Sequence, residues 1–319
     1  MKKTLSIGVI FSSLLLLIAC DDVLEEDITD DLVIAVAPKN KSNLEGNSVQ
    51  FRWKELSDAD DYRIQVVEQD TQTSVLDSLV KGNSFTFGLN PGRYSWRIRG
   101  ENFAYTTAYS FPIVFTLFTS DDLTNQTVFL TSPSDNFYTN KDALIVTWER
   151  ILAATTYTIV IDKTIQGNTS TEIQTPDLTD IDFTLNSTIL SEDAMYTWKV
   201  KAINDNSETQ FTTRKIFLDT QVPNQPILVS PTNDAKGSSS ITFSWNIPSD
   251  IGEVQSTLSS VIEIATDNGF ANIIETIATG ESSQEVTFTN VGDYYWRVRI
   301  VDQADNKSVY SEIRKITVE

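Results

Sequence analysis

The chain has 319 residues, with 24 Lys and Arg against 44 Asp and Glu, a net charge of −20, one Cys and no His. Without imidazole there is no Ser-His-Asp or Cys-His nucleophile pair, no His-ligated zinc or haem, and no His general base near neutral pH. A single Cys forms no internal disulfide or thiolate cluster, and so acidic a chain lacks the positive field that a nucleic-acid backbone requires; no nucleic-acid partner is expected.

Lys2 and Lys3 precede an uncharged, largely apolar run from Leu5 to Ala19, and the only Cys follows at position 20. As a helix this run spans roughly 22 Å, short of the roughly 30 Å hydrocarbon core, so residues 1–19 read as a secretion signal rather than a transmembrane helix. Leu17-Ile18-Ala19-Cys20 resembles the lipobox of bacterial lipoproteins. The resemblance implies that Cys20 becomes the mature N-terminus and carries covalent lipid, with the membrane as a partner; two or three fatty chains hold a protein firmly where one binds only marginally. No other cofactor and no metal is expected.

Residues 21–31 hold seven acidic side chains (Asp21, Asp22, Glu25, Glu26, Asp27, Asp30 and Asp31) and no Lys or Arg. Such a run self-repels, so residues 20–31 are expected to form an extended, solvated tether. An acidic stretch behind the lipidated Cys resembles the export signal of Bacteroidota lipoproteins, which implies an outer-membrane location facing the cell exterior. The competing resemblance is to the inner-membrane retention signal of enteric bacteria, in which Asp directly follows the Cys.

Beyond the tether the sequence repeats. The six Trp fall in pairs, Trp53 with Trp96, Trp148 with Trp198 and Trp245 with Trp296, separated by 43, 50 and 51 residues. The first of each pair ends an alternating run (Val49, Phe51, Trp53; Leu144, Val146, Trp148; Ile241, Phe243, Trp245), and period two marks a half-buried strand. The second lies in a Tyr-x-Trp-basic-Ile/Val-basic strand beginning at Tyr94, Tyr196 and Tyr294. Tyr and Trp face one way there and the basic residues the other, so one face is core and the other wet. A third alternating strand lies between them (Tyr62, Ile64, Val66; Tyr157, Ile159, Ile161; Ile262, Ile264), and the last copy has Ser260 where the others have Tyr. Pro38, Pro133 and Pro231 recur 95 and then 98 residues apart, each expected at the start of an edge strand, where the missing donor costs nothing.

No helical periodicity follows residue 20, and short alternating strands with polar turns predict all-β two-sheet sandwiches. Leu89-Asn-Pro-Gly-Arg-Tyr94 and the strand after it resemble the E–F turn and F strand of fibronectin type III domains, matching at Leu89, Pro91, Gly92, Tyr94, Ile98 and Asn102. The second copy keeps Leu190, Tyr196, Val200, Ala202 and Asn204 but lacks the Pro-Gly. The resemblance implies three tandem Ig-like sandwiches, over residues 32–118, 127–219 and 223–319. Residues 119–126 and the Pro-containing stretch 219–226 are expected to be short joints. Tyr94, Tyr196 and Tyr294 are expected to form tyrosine corners, and all six Trp to fill cores that no disulfide supports. At about 3.3 Å per strand residue, three modules in line would span roughly 90 to 100 Å, a stalk.

With the indoles assigned to cores, sugar stacking would fall to Tyr and Phe. The best group is Phe103, Tyr105, Tyr109 and Phe111; the expectation is that Tyr109 and Phe111 turn inward along the last strand and that Phe103 and Tyr105 pack locally. Phe137 and Tyr138 are expected in a loop lining the next joint. Arg97 and Arg99, Lys199 and Lys201, and Arg297 and Arg299 offer a positive stripe to an anionic partner or, as expected here, pair with acids across the sheet. Asp58, Asp60 and Asp61, Asp177, Asp180 and Asp182, and Asp302 and Asp305 supply oxygen ligands, but no EF-hand loop pattern is present. Neither a phosphate loop nor a carboxylate cleft is evident, so an enzyme is not expected. The reading is a membrane-anchored surface spacer, scaffold or adhesive binder with a protein or glycan partner. The alternatives are an accessory glycan-binding lipoprotein resembling SusE-like proteins and an accessory subunit of an outer-membrane complex.

Overall fold

The computed structural model describes residues 25–319; the signal segment and Cys20 lie outside them. No helix occurs among the described residues. The first repeat contains β1 (Ala35–Ala37), β2 (Ser42–Glu45), β3 (Ser48–Trp53), β4 (Asp61–Glu68), β5 (Thr73–Val80), β6 (Ser84–Gly88), β7 (Gly92–Glu101) and β8 (Ile113–Phe118). The second contains β9 (Leu130–Ser132), β10 (Phe137–Thr139), β11 (Leu144–Trp148), β12 (Thr156–Ile165), β13 (Asn168–Leu178), β14 (Asp182–Leu185), β15 (Ala194–Ile203) and β16 (Thr212–Leu218). The third contains β17 (Ile227–Ser230), β18 (Ala235–Gly237), β19 (Ser240–Asn246), β20 (Ser259–Ala265), β21 (Ile273–Thr279), β22 (Ser283–Thr287), β23 (Gly292–Val301) and β24 (Arg314–Val318).

Each repeat folds into the same pair of sheets. A three-stranded sheet has the order β1-β3-β6, β9-β11-β14 or β17-β19-β22, and faces a five-stranded sheet β2-β8-β7-β4-β5, β10-β16-β15-β12-β13 or β18-β24-β23-β20-β21. The described residues divide into two compact units, the first made of residues 25–43, 49–87 and 92–116 and the second containing all of the second and third repeats.

Alternation decides what enters each core. The first Trp of each pair lies on the three-stranded sheet and the second on the five-stranded sheet, and all six are buried. Phe51 meets Trp96 edge-on with ring centroids 5.1 Å apart, and Phe243 meets Trp296 at 4.9 Å, the geometry that the ring quadrupoles favour. The Tyr196 hydroxyl donates to the carbonyl of Glu192 and that of Tyr294 to the carbonyl of Asn290, both at 2.9 Å, while the Tyr94 ring stacks on Phe115. Tyr62 and Tyr157 accept a bond from the backbone N–H of Leu56 and Ile151, each at 2.8 Å, which fixes the loop after the first Trp. Ser260 takes the corresponding place in the third repeat, and its hydroxyl accepts the indole N–H of Trp245 at 2.7 Å.

The prolines stand elsewhere than expected. Pro38, Pro133 and Pro231 follow cis peptide bonds and lie between β1 and β2, β9 and β10, and β17 and β18. Each therefore marks the break where the first strand leaves one sheet for the other. Two residues on, Asn40, Asp135 and Asn233 accept the backbone N–H of Val114, Lys215 and Lys315 at 3.0, 2.8 and 2.8 Å, tying that crossing to the last strand. Phe137 and Tyr138 belong to β10 rather than to a loop, and Tyr138 stacks on Phe217 at 4.6 Å.

Candidate functional site

The end of each sandwich that receives the incoming chain is built by the loop after its long central strand. In the first repeat the Asn102 side-chain amide donates to the carbonyls of Glu26 (2.9 Å) and Asp58 (3.0 Å). In the second, Asn204 donates to Asp121 (2.8 Å) and Ala153 (3.0 Å). Glu26, Asp121 and Asp219 each stand twelve residues ahead of a cis proline, so the same point of the leader is held each time. The third repeat has Asp302 where the others have Asn, and the donor passes to Asn306, whose amide reaches the Asp219 carbonyl (2.8 Å) and the Asp302 carboxylate (2.9 Å).

Over its described residues this docking corrects the extended, solvated tether expected across residues 20–31, and residues 119–126, expected to be a short polar joint, are held in the same way. Ile28 is 1% exposed and Leu123 fully buried, the latter within the core of the second sandwich. Asp27 and Asp122 stay at the surface, where each carboxylate accepts the backbone N–H and hydroxyl of the Thr two residues on. Those bonds hold both carboxyls below the usual aspartate range. An Asn204→Ala variant removes the donor from both the Asp121 and Ala153 carbonyls and is expected to cost about 0.5 to 1.5 kcal/mol. Hydrogen exchange across residues 119–126 should rise sharply; unchanged protection there would show that the amide does not hold the leader.

The outward basic pairs are largely committed within their own sheets. Arg99 meets Glu101 at 2.7 Å, Lys199 meets Asp162 at 2.6 Å, Lys201 meets Glu208 at 2.6 Å and Arg297 meets Glu263 at 2.7 Å, while Arg97 bonds the neutral Gln65. An aromatic ring from the segment ahead of the last strand covers each pair: Tyr109 lies 4.3 Å from the Arg97 guanidinium, Phe211 5.4 Å from the Lys201 ammonium and Tyr310 3.7 Å from the Arg297 guanidinium. Cation–π attraction of this kind adds to the ion pairs. At Glu263, burial opposes the charge, but bonds from the Tyr310 hydroxyl (2.6 Å) and Arg297 outweigh it and hold the carboxyl below its usual range. Tyr109 thus faces outward, not into the core as expected, because the period-two pattern restarts after an irregular stretch.

Phe103 is 94% exposed and Phe111 85% exposed, so neither packs as expected. Phe103 follows the leader-binding Asn102, while Tyr105 is half-buried and its carbonyl accepts the Asn102 backbone N–H at 3.0 Å. Among the described residues, no group of three or more Asp, Glu, His or Cys is arranged to hold a metal ion. The acids around Asp219 form a different kind of feature. Asp219 is fully buried, one carboxylate oxygen accepts the Gln221 backbone N–H at 3.0 Å, and the other has no partner. Burial, reinforced by the charges of Asp302, Asp250 and Asp193, pushes its carboxyl up to about 6.

A three-stranded sheet facing a five-stranded one, with the first strand divided between them, defines an Ig-like sandwich of fibronectin type III arrangement, present three times in tandem. No protein-family model and no curated protein matches the chain. Similar solved structures include the FN1–FN3 domains of chicken CNTN1, at 17% identity over 90% of this chain and 98% of that one, with a TM-score of 0.40. The fibronectin(III)-like modules of Clostridium thermocellum CbhA are similar at 14% identity over 59% of this chain and 94% of that one, with a TM-score of 0.23.

Proposed function

We propose that the chain is a lipid-anchored protein of the outer membrane, facing the cell exterior, that serves as a non-catalytic spacer or scaffold presenting binding surfaces. The observation that carries this reading is the unbroken succession of a lipobox-like segment ending at Cys20, a short acidic stretch and three sandwiches that each dock their own leader. A chain tied down at one end by lipid gains reach from each added module. Cells grown with an alkyne fatty acid should label the parent chain and not a Cys20→Ser variant, which should leave the membrane fraction. Equal labelling of both overturns the anchor. External protease should degrade the parent in cells with an intact envelope, and full protection overturns the outward orientation.

The exposed rings of Phe103 and Phe111 favour a second reading, an accessory glycan-binding role, since a bare aromatic face stacks on a sugar ring. Retention on one polysaccharide that is lost on Phe103→Ala would support it.

A further inference from the structure

The third sandwich departs from its two sisters at the seam between the edge strands of its sheets. Opposite the central Trp, Val66, Ile161 and Ile264 pair with Trp96, Trp198 and Trp296. On their other side these residues pair with Leu76, Ile173 and Glu275. Leu76 is buried and Ile173 packs on its core, but Glu275 is exposed. Across the seam, the carbonyls of Asn83, Ile181 and Ser282 accept the backbone N–H of the first Trp, and two residues further on stand Phe85, Phe183 and Gln284. The two apolar plugs that close the seam in the first and second repeats are therefore both polar in the third.

A groove of about 470 Å³ lies at this point, with Ile274 and Glu275 on one wall, Gln284 and Val286 on the other, and Phe288 and Tyr294 among its lining. No Lys or Arg lines it, and the exposed Glu275 carboxylate makes no hydrogen bond or ion pair with any described residue. β21 pairs only with β20 and so presents an edge of backbone donors and acceptors at the seam, a ready template for another strand, whereas on β22 the Gln284 side-chain amide donates to the Glu285 carbonyl at 2.8 Å. Phe288 and Tyr294 are each 6% exposed, which leaves no ring face for a sugar.

We propose that this groove is a docking site for an extended peptide segment of a partner protein, with a Lys or Arg side chain entering the seam to meet Glu275 and Gln284. Main-chain bonds to the β21 edge supply attachment, an apolar residue of the partner covers Ile274, and the acidic chain selects basic partners. This names a partner class for the scaffold reading, yet it concerns the soluble chain alone, so loss of the lipid anchor leaves it untouched.

The test uses hydrogen exchange on the full chain with an octapeptide alternating Val with Lys or Arg, its Val-Glu counterpart and a neutral oligosaccharide. The basic peptide should protect amides across residues 273–287, with protection weakened in high salt. Glu275→Gln should weaken binding about tenfold. The double variant Glu275→Leu with Gln284→Phe restores what the sister repeats hold, and should abolish binding without lowering the Tm. The proposal is overturned if the basic peptide leaves these amides unprotected, if the filled variant binds as well as the parent, or if the acidic peptide or the oligosaccharide protects them equally.

Discussion

Trp198→Ala should destabilise the second sandwich by about 3 to 5 kcal/mol, a large share of the roughly 5 to 15 kcal/mol that holds a domain together. The indole is fully buried in a cluster that includes Trp148, Tyr157, Tyr196 and Ile216, and its strand is hydrogen-bonded on both sides, to β12 and to β16. Because the backbone around it is held in two ladders, the walls cannot collapse into the space left behind. The ring N–H has no hydrogen-bond partner, so the loss is one of volume and contact rather than of a polar bond. Trp198→Phe should therefore recover much of it. Urea unfolding followed by far-UV circular dichroism measures both variants without relying on indole emission. A Trp198→Ala chain whose second sandwich unfolds within about 1 kcal/mol of the parent would show that these rings do not carry the core.

The second large effect depends on pH. In the folded chain Asp219 titrates near 6 rather than at its usual 3.8, so the folded state binds a proton that the unfolded state has already released. Stability is therefore greatest below about pH 4 as far as this group is concerned, and falls as pH rises through 6. At about 1.36 kcal/mol per unit, the loss is on the order of 3 kcal/mol at pH 8. Asp219→Asn removes the charge. Its oxygen can still accept the Gln221 N–H, while its new N–H₂ replaces the unpartnered oxygen. The variant should melt at a higher temperature than the parent at pH 8 and at nearly the same temperature at pH 4. A parent and variant that differ equally at both pH values would exclude an ionised Asp219 as the cause.

The fold was largely legible because its cores announce themselves. Three Trp pairs set the repeat, and alternation at Phe51 and Trp53 or at Tyr196 and Trp198 orients each strand without knowledge of its neighbours. The docked leaders were not legible. Around Ile28 and Leu123 the chain is dense in acids and amides, and a single apolar residue among them carries no periodicity. The burial becomes visible only once Asn102 and Asn204, some eighty residues further on, bring their amides to Glu26 and Asp121. In the third repeat the device changes hands from position 302 to Asn306, which erases even the sequence match. The outward rings Tyr109, Phe211 and Tyr310 escaped for a related reason, since they precede the last strand and its alternation does not reach them. The seam of the third sandwich was hidden differently: Glu275 and Gln284 look like ordinary surface residues until the ladders place them opposite Ile264 and Phe243.

Because every leader is bound by the module that comes after it, the inheritable unit is a leader with its own sandwich, and not a sandwich with a neutral connector. Gene duplication that copies such a cassette adds a module with its attachment already encoded. The 95- and 98-residue intervals between successive prolines have the even spacing that this kind of copying leaves, and lengthening or shortening the protein by one cassette would require no newly evolved linkage.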